Sequence, residues 1–159
     1  MHKVIYAPES LPPRVGANYR VAKSVFLAGS IEMGAAEEWQ TKAEQALADL
    51  DIFIFNPRRK DWDSSWEQKI DHPKFREQVE WELEALSLAT HIIMYFDPAT
   101  KSPISLLELG LYARSSKLLV VCPDGFWRKG NVDVVCEWYA ITQYESLEEA
   151  YDAIRSELS

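Results

Sequence analysis

At 159 residues the chain has the length of one domain with one core, since domains commonly run to about 100–200 residues. Hydrophobic residues at 47% and charged residues at 26%, with only 6 Gly and 8 Pro, exclude collagen-like, low-complexity and disordered classes. With 17 basic against 25 acidic residues the net charge is −8, which leaves no electrostatic footprint for a nucleic-acid polymer or an anionic membrane as partner.

Along the chain, residues 1–22, with Pro8, Pro12 and Pro13, read as an extended arm ahead of a single domain over 23–159. The apolar stretch Val4-Ile5-Tyr6-Ala7 ends at Pro8, well short of the ~7–15 residues of a secretion-signal core. Short apolar runs bounded by turn residues predict buried parallel strands at Ser24 to Ala28, Ile52 to Phe55, His91 to Phe96 and Leu118 to Cys122, with a fifth around Ala140 to Gln143. None is long enough to span a bilayer. Helical stripes separate them: Trp39, Ala43, Leu47 and Leu50 in the first, and Phe75, Val79, Leu83 and Leu86 in the second. On this second helix Trp81 and Leu88 fall about 160° to 180° from Val79, which predicts burial against a partner outside the monomer. Proline at a first helical position opens the helices at His72-Pro73 and Ser102-Pro103. Ser146-Leu147-Glu148-Glu149 is a capping box, and Leu147, Ala150, Tyr151, Ile154 and Leu158 dock the last helix. Strand and helix alternate, so the expected fold is a doubly wound α/β sheet, Rossmann- or flavodoxin-like, of about five mainly parallel strands covered on both faces. Ligands bind such sheets outside the carboxyl ends of the strands.

Candidate chemistry gathers in the loops at those ends. Ala28-Gly29-Ser30-Ile31 closes the first strand, and glycine there either lets a ligand approach the backbone or simply makes a tight turn. The spacing Gly29 to Gly34 imitates a P-loop, yet Ala35-Ala36 stand where Lys and Ser/Thr are needed, so no triphosphate site follows. Asn56-Pro57-Arg58-Arg59 leads into Lys60-Asp61-Trp62-Asp63-Ser64-Ser65-Trp66, a long loop in which Trp and Arg either form a base or sugar pocket or fold the loop against the body and pair with surface acids. Gln78 and Glu82 are stacked on one side of the second helix, Glu82 at the border of its apolar stripe. Glu108, in Ser105-Leu106-Leu107-Glu108-Leu109-Gly110, has two readings. With Ser105 as cap it completes a capping box; with Pro103 as first helical residue it lies inside the helix as an acid among leucines, kept ionised by the helix dipole as a nucleophile requires. Phe126-Trp127-Arg128-Lys129-Gly130-Asn131-Val132 is a second aromatic and basic loop. His2, His72 and His91 are scattered, and Cys122 and Cys136 form neither a disulfide framework nor a metal set, which disfavours metal and triad chemistry and points to a reduced, cytoplasmic compartment.

Phe26-Leu27-Ala28-Gly29-Ser30-Ile31, Asn56-Pro57-Arg58-Arg59, Gln78 to Glu82, Glu108-Leu109-Gly110 and Gly130-Asn131-Val132 together resemble the nucleoside 2-deoxyribosyltransferase family, over about residues 24 to 143. The resemblance implies cleavage of the N-glycosidic bond of a 2'-deoxynucleoside and transfer of the deoxyribosyl group to another free nucleobase, without metal or cofactor. It implies Glu108 as nucleophile, Asn131 as a residue supplied by a neighbouring subunit of a homo-oligomer, and Glu82 as the acid that contacts and protonates the base. The better-known members carry aspartate at the place of Glu82 and another shortly before the nucleophile, where Asp97 is the nearest acid here and Ser102 is closer in register. Phe26 stands where a tyrosine is often found. The substrate-binding set that follows is Phe26, Gly29, Ser30, Asn56, Arg58, Trp62, Gln78, Asp97 and Trp127. Two carboxylates on opposite sides of an oxocarbenium-like transition state suit this chemistry in their own right. Two other functions remain open: a nucleoside or 5'-nucleotide N-hydrolase with Arg58, Arg59, Arg128 or Lys129 seating a phosphate, and a nucleotide-binding sensor without turnover.

Overall fold

The computed structural model of the chain describes residues 2–14, 23–30 and 38–159. Ile31, Gly34, Ala35 and Ala36 of the first loop, and residues 15–22 of the arm, lie outside the described residues. The apolar runs form β2 (Ser24–Gly29), β3 (Phe53–Asn56), β4 (His91–Tyr95) and β5 (Leu118–Val121), with β6 at Thr142–Tyr144. A sixth strand, β1 (Lys3–Tyr6), comes from the arm and pairs with β3, Lys3 opposite Phe53 and Tyr6 opposite Asn56. Among the described residues the sheet therefore has six strands, one more than the about five expected, because Val4-Ile5-Tyr6 of the extended arm suffices for an edge strand. Every pairing is parallel, in the order β1-β3-β2-β4-β5-β6. The chain turns from one half of the sheet to the other between β2 and β4, the switch point at which doubly wound folds open a crevice.

Side chains alternate across the strands with period two. Phe26, Ala28, Ile92, Met94, Leu118 and Val120 join one core layer with α2 (Pro73–Leu88), α3 (Pro103–Tyr112) and α4 (Lys129–Trp138). Val25, Leu27, Ile54, Ile93 and Leu119 join the other with α1 (Trp39–Ala46) and α5 (Leu147–Leu158). The stripe expected on the first helix is buried throughout: Trp39 and Ala43 lie in α1, and Leu47 and Leu50 in the turn that follows. At the start of α5 the Ser146 hydroxyl accepts from Glu149 N–H at 3.2 Å, while the Glu149 carboxylate reaches back to Glu145 N–H at 3.0 Å, one residue beyond the usual box. Among the described residues no helix is long and apolar enough to cross a membrane.

The second helix is turned the other way from the sequence expectation. Its buried face is Gln78, Trp81, Ala85 and Leu88, with Leu86 alongside, whereas Leu83 is exposed and Phe75 and Val79 are half-buried. α2 carries two apolar stripes, and the one with Ala85 at its centre lets the helix sit close to the sheet. Trp81 packs on Phe26 with ring centroids 6.4 Å apart, and its indole N–H donates to Glu9 O at 2.8 Å, so the N-terminal segment covers it. Burial of Trp81 and Leu88 thus belongs to the monomer and is no sign of a partner.

Candidate active site

At the switch point β2 ends in Gly29 with φ +147°, and a Cβ there would collide with the carbonyl oxygen of Tyr95 on β4. The glycine is thus required by strand-to-strand contact as much as by any ligand. Ser30 follows, wholly buried, its hydroxyl accepting from Asp97 N–H at 3.0 Å. Asp97 leaves β4 in an Asx turn, its carboxylate accepting from Ala99 N–H at 2.9 Å. The loop then enters α3 through Ser102-Pro103.

Because α3 begins at Pro103, Glu108 is inside the helix and the capping-box reading falls. The carboxyl group lies on the buried side of α3 with Ser105 and Leu109, only 8% exposed, and among the described residues Oε2 has no hydrogen-bond partner. Burial pushes Glu108 up to about 8, and the charge of Glu82 adds to the shift. Against the expectation that the helix dipole keeps this acid ionised, desolvation favours its neutral form, since the dipole acts from more than a turn away. Glu82, on α2, is raised to about 7 by burial, opposed by the hydrogen bond from Gln78 Nε2 at 3.0 Å. Gln78 is itself fixed, its amide also donating to Pro57 O at 2.8 Å. α2 and α3 thus bring Gln78, Glu82 and Glu108 together as two coupled acids in a desolvated setting, an arrangement suited to one carboxylate and one carboxylic acid at neutral pH.

Other candidate residues are placed differently. Phe26 is core, packed on Trp81. Asn56, buried at the end of β3, donates to Glu44 Oε1 at 2.6 Å and accepts from Arg58 N–H at 3.0 Å, while Glu44 also accepts from the Tyr6 hydroxyl at 2.8 Å. Arg58 donates to Gln40 at 3.0 Å and faces Glu38 at 3.6 Å. Arg59 bridges Asp61 and Glu77, both at 2.7 Å. Trp62 and Trp66 pack edge to face at 5.0 Å, with the Arg59 guanidinium 5.2 Å from the Trp66 ring centre. Among the described residues, then, the loop after β3 is held by its own aromatic and ionic contacts. Trp127 is half exposed, its indole donating to Lys101 O at 2.8 Å beneath the Lys101 and Arg128 cations. Lys129 is held by Cys122 O and Asp133. Asn131 is exposed in the first turn of α4.

Three further residues carried no sequence signal. Tyr112, one turn beyond Glu108, is raised by burial and then by the Glu108 charge. Buried Lys117 donates to the carbonyls of Leu86 and Ser87 at 3.0 and 2.9 Å, tying down the carboxyl end of α2. Thr100 joins the hydroxyls of Ser30 and Ser102. A separate depression of about 300 Å³ opens on the opposite side of the sheet, lined by Trp39, Tyr95, Pro123, Ser146 and Tyr151, and includes neither acid. Among the described residues no group of three or more His, Cys, Asp or Glu side chains could hold a metal.

A family model described as nucleoside 2-deoxyribosyltransferase like matches residues 22–126, most of the chain, and the chain belongs to that family. The match takes in Gly29, Glu82, Asp97 and Glu108 and stops before Asn131. Comparison with curated proteins gives no match.

Proposed function

We propose that this member of the nucleoside 2-deoxyribosyltransferase-like family moves the 2-deoxyribosyl group of a 2'-deoxynucleoside to a second free base through a glycosyl ester on Glu108, with net retention. The observation that carries this reading is the buried Glu108 carboxyl, one oxygen of which has no hydrogen-bond partner among the described residues, with the acid Glu82 as its neighbour. With substrate bound the one proton of the pair sits on Glu82, the reverse of the free protein, where Glu108 at about 8 holds it more tightly than Glu82 at about 7. In the first step a Glu108 carboxylate oxygen then bonds to C1' as the C1'–N bond breaks. The bonding pair leaves with the base, and the Glu82 carboxylic acid gives it a proton. In the second, a nitrogen of the incoming base attacks C1', the ester bond breaks back to Glu108, and Glu82 takes up the proton that this nitrogen loses. Gln78, donating to Glu82 and Pro57, holds the acid in place.

The same reading makes the protein a homo-oligomer with shared sites. Asn131, Val134 and Trp138 follow helical spacing on one exposed face of α4, and Trp138 is 80% exposed. Ile104, Leu107 and Leu111 form a second exposed stripe on α3, adjoining the face that buries Glu108. A second copy covering these stripes would carry Asn131 into contact with its neighbour. Cys122 and Cys136 are buried free thiols, each pushed up to about 11 by burial, in keeping with a reducing, cytoplasmic setting.

Incubation with deoxyadenosine and cytosine tests the activity. Deoxycytidine supports transfer; free adenine alone makes water the acceptor and the protein an N-hydrolase; unchanged substrate leaves only a binding role. With a 2'-fluoro-arabinosyl nucleoside, whose fluorine destabilises oxocarbenium-like states, peptide mass spectrometry should find the sugar on Glu108. An adduct elsewhere would overturn the assignment.

A further inference from the structure

The place of Glu108 depends on how α3 begins, and that beginning is unusual. Ser102 caps the helix in the left-handed conformation, φ 46° and ψ 54°, immediately before Pro103. A residue with a Cβ rarely adopts this backbone, so its surroundings must hold it there. Its hydroxyl makes no cap bond to the helix. Instead it is buried in hydrogen-bond contact with the Ser30 hydroxyl and with Thr100 Oγ1 at 2.7 Å, and Thr100 Oγ1 lies 2.9 Å from Ser30 Oγ.

Thr100 donates to the Asp97 carbonyl at 2.8 Å, and the Asp97 N–H donates to Ser30 Oγ at 3.0 Å. Ser30 Oγ also lies 3.5 Å from the Tyr95 carbonyl oxygen, to which it can donate. The three hydroxyls are in mutual contact, each able to give or receive a proton, and the cluster is anchored on the two peptide groups of Asp97. It ties the end of β2, the end of β4 and the first residue before α3 into one unit. Among the described residues Glu108 Oε2 has no hydrogen-bond partner, so the helix that carries it sets its place.

We propose that Ser30, Thr100 and Ser102 are positioning residues, a closed ring of buried hydroxyls that locks the left-handed start of α3 and so sets Glu108 against Glu82. This rests on the reading of Glu108 as the nucleophile. Thr100→Val removes the hydroxyl at nearly constant volume and with it the contacts to Ser30 and Ser102; Thr100→Ser keeps the ring. The expected result is a fall in kcat of about 10- to 100-fold for Thr100→Val with KM little changed, since small misplacements of a reacting group cost this much. Thr100→Ser should remain within about threefold of the parent by the same measure. Ser102→Gly, which accepts the left-handed backbone but has no hydroxyl, serves as the second variant and should resemble Thr100→Val. Equal kcat in all the variants would overturn the inference. A carboxyl ¹³C titration of Glu108 in the substrate-free protein separates the two layers. If the parent turns over no deoxynucleoside, the catalytic reading fails, and the titration alone judges the ring. A Glu108 midpoint moved by Thr100→Val and not by Thr100→Ser upholds the ring, and identical midpoints refute it.

Discussion

The two sides of the sheet are finished in different ways. Under α1 and α5 the apolar stripes point inward, and no large hydrophobic side chain on either helix is exposed. On the side of α2, α3 and α4 the pattern is partly inverted: Gln78, Ser105, Glu108 and Lys117 are buried, while Leu83, Ile104, Leu107, Leu111, Val134 and Trp138 face outward. One side obeys the ordinary sorting of residues by polarity but for Gln40, buried on α1 and accepting from Arg58. The other sets it aside twice, at the buried acids and at the outward apolar stripes, and departures of this kind collect at functional sites because folding alone does not favour them.

The sharpest way to break the comparison is at Glu108. Glu108→Gln should lower transfer and hydrolysis by about 10⁴-fold or more while keeping or raising thermal stability, because it removes a buried acid and with it the nucleophile. Product assays beside a melting curve check both halves; an active variant would reduce the buried acids to a folding accident. Next in size is the outward pattern. Leu107→Glu should convert the oligomer to monomer in sedimentation, and both it and Asn131→Ala should reduce turnover by about 10- to 100-fold if the site is shared. A monomeric parent would remove that explanation for the exposed stripes. On the ordinary side, Ile154→Ala should cost about 2–5 kcal/mol in denaturant unfolding and leave kcat of the folded protein unchanged. A large loss of kcat there would mean that the two sides are not separable.

The smallest effect is a pH dependence. Glu82 and Glu108 bind protons more tightly in the folded chain, at about 7 and about 8, than their ordinary value of 4.5. Their contribution to stability is therefore full below about pH 4.5 and is lost as pH rises through about 7 to 8, since there the folded state binds the more protons. Glu108→Gln should flatten the fall in melting temperature over this window. If the proposed mechanism holds, turnover needs one proton on the pair, and kcat/KM should follow a bell between the same limits. A profile flat from about pH 5 to 9 would show that the pair does not govern the reaction.

Much of this was legible in the residues themselves. The runs at Ser24, Ile52, His91 and Leu118 are apolar on both faces, which only a parallel sheet covered on both sides accommodates, and the alternation with helices followed from them. Proline at 103 and 73 and the capping residues at 146 and 149 are local chemistry, and the helices begin where that chemistry puts them. What depended on distant partners was not legible. The face of α2 was settled by Glu9, Phe26 and the sheet, none of which its own periodicity contains. The ionisation of Glu108 was settled by desolvation and by Glu82, a charge on another helix, and both act through space and not along the chain. Arg59 and Lys129, which the sequence offered as phosphate ligands, found carboxylates first. The linear chain thus determined which segments are strands and helices, because those preferences are local; the tertiary structure alone decided which side chains are buried together, and with that the protonation on which the chemistry of the two acids turns.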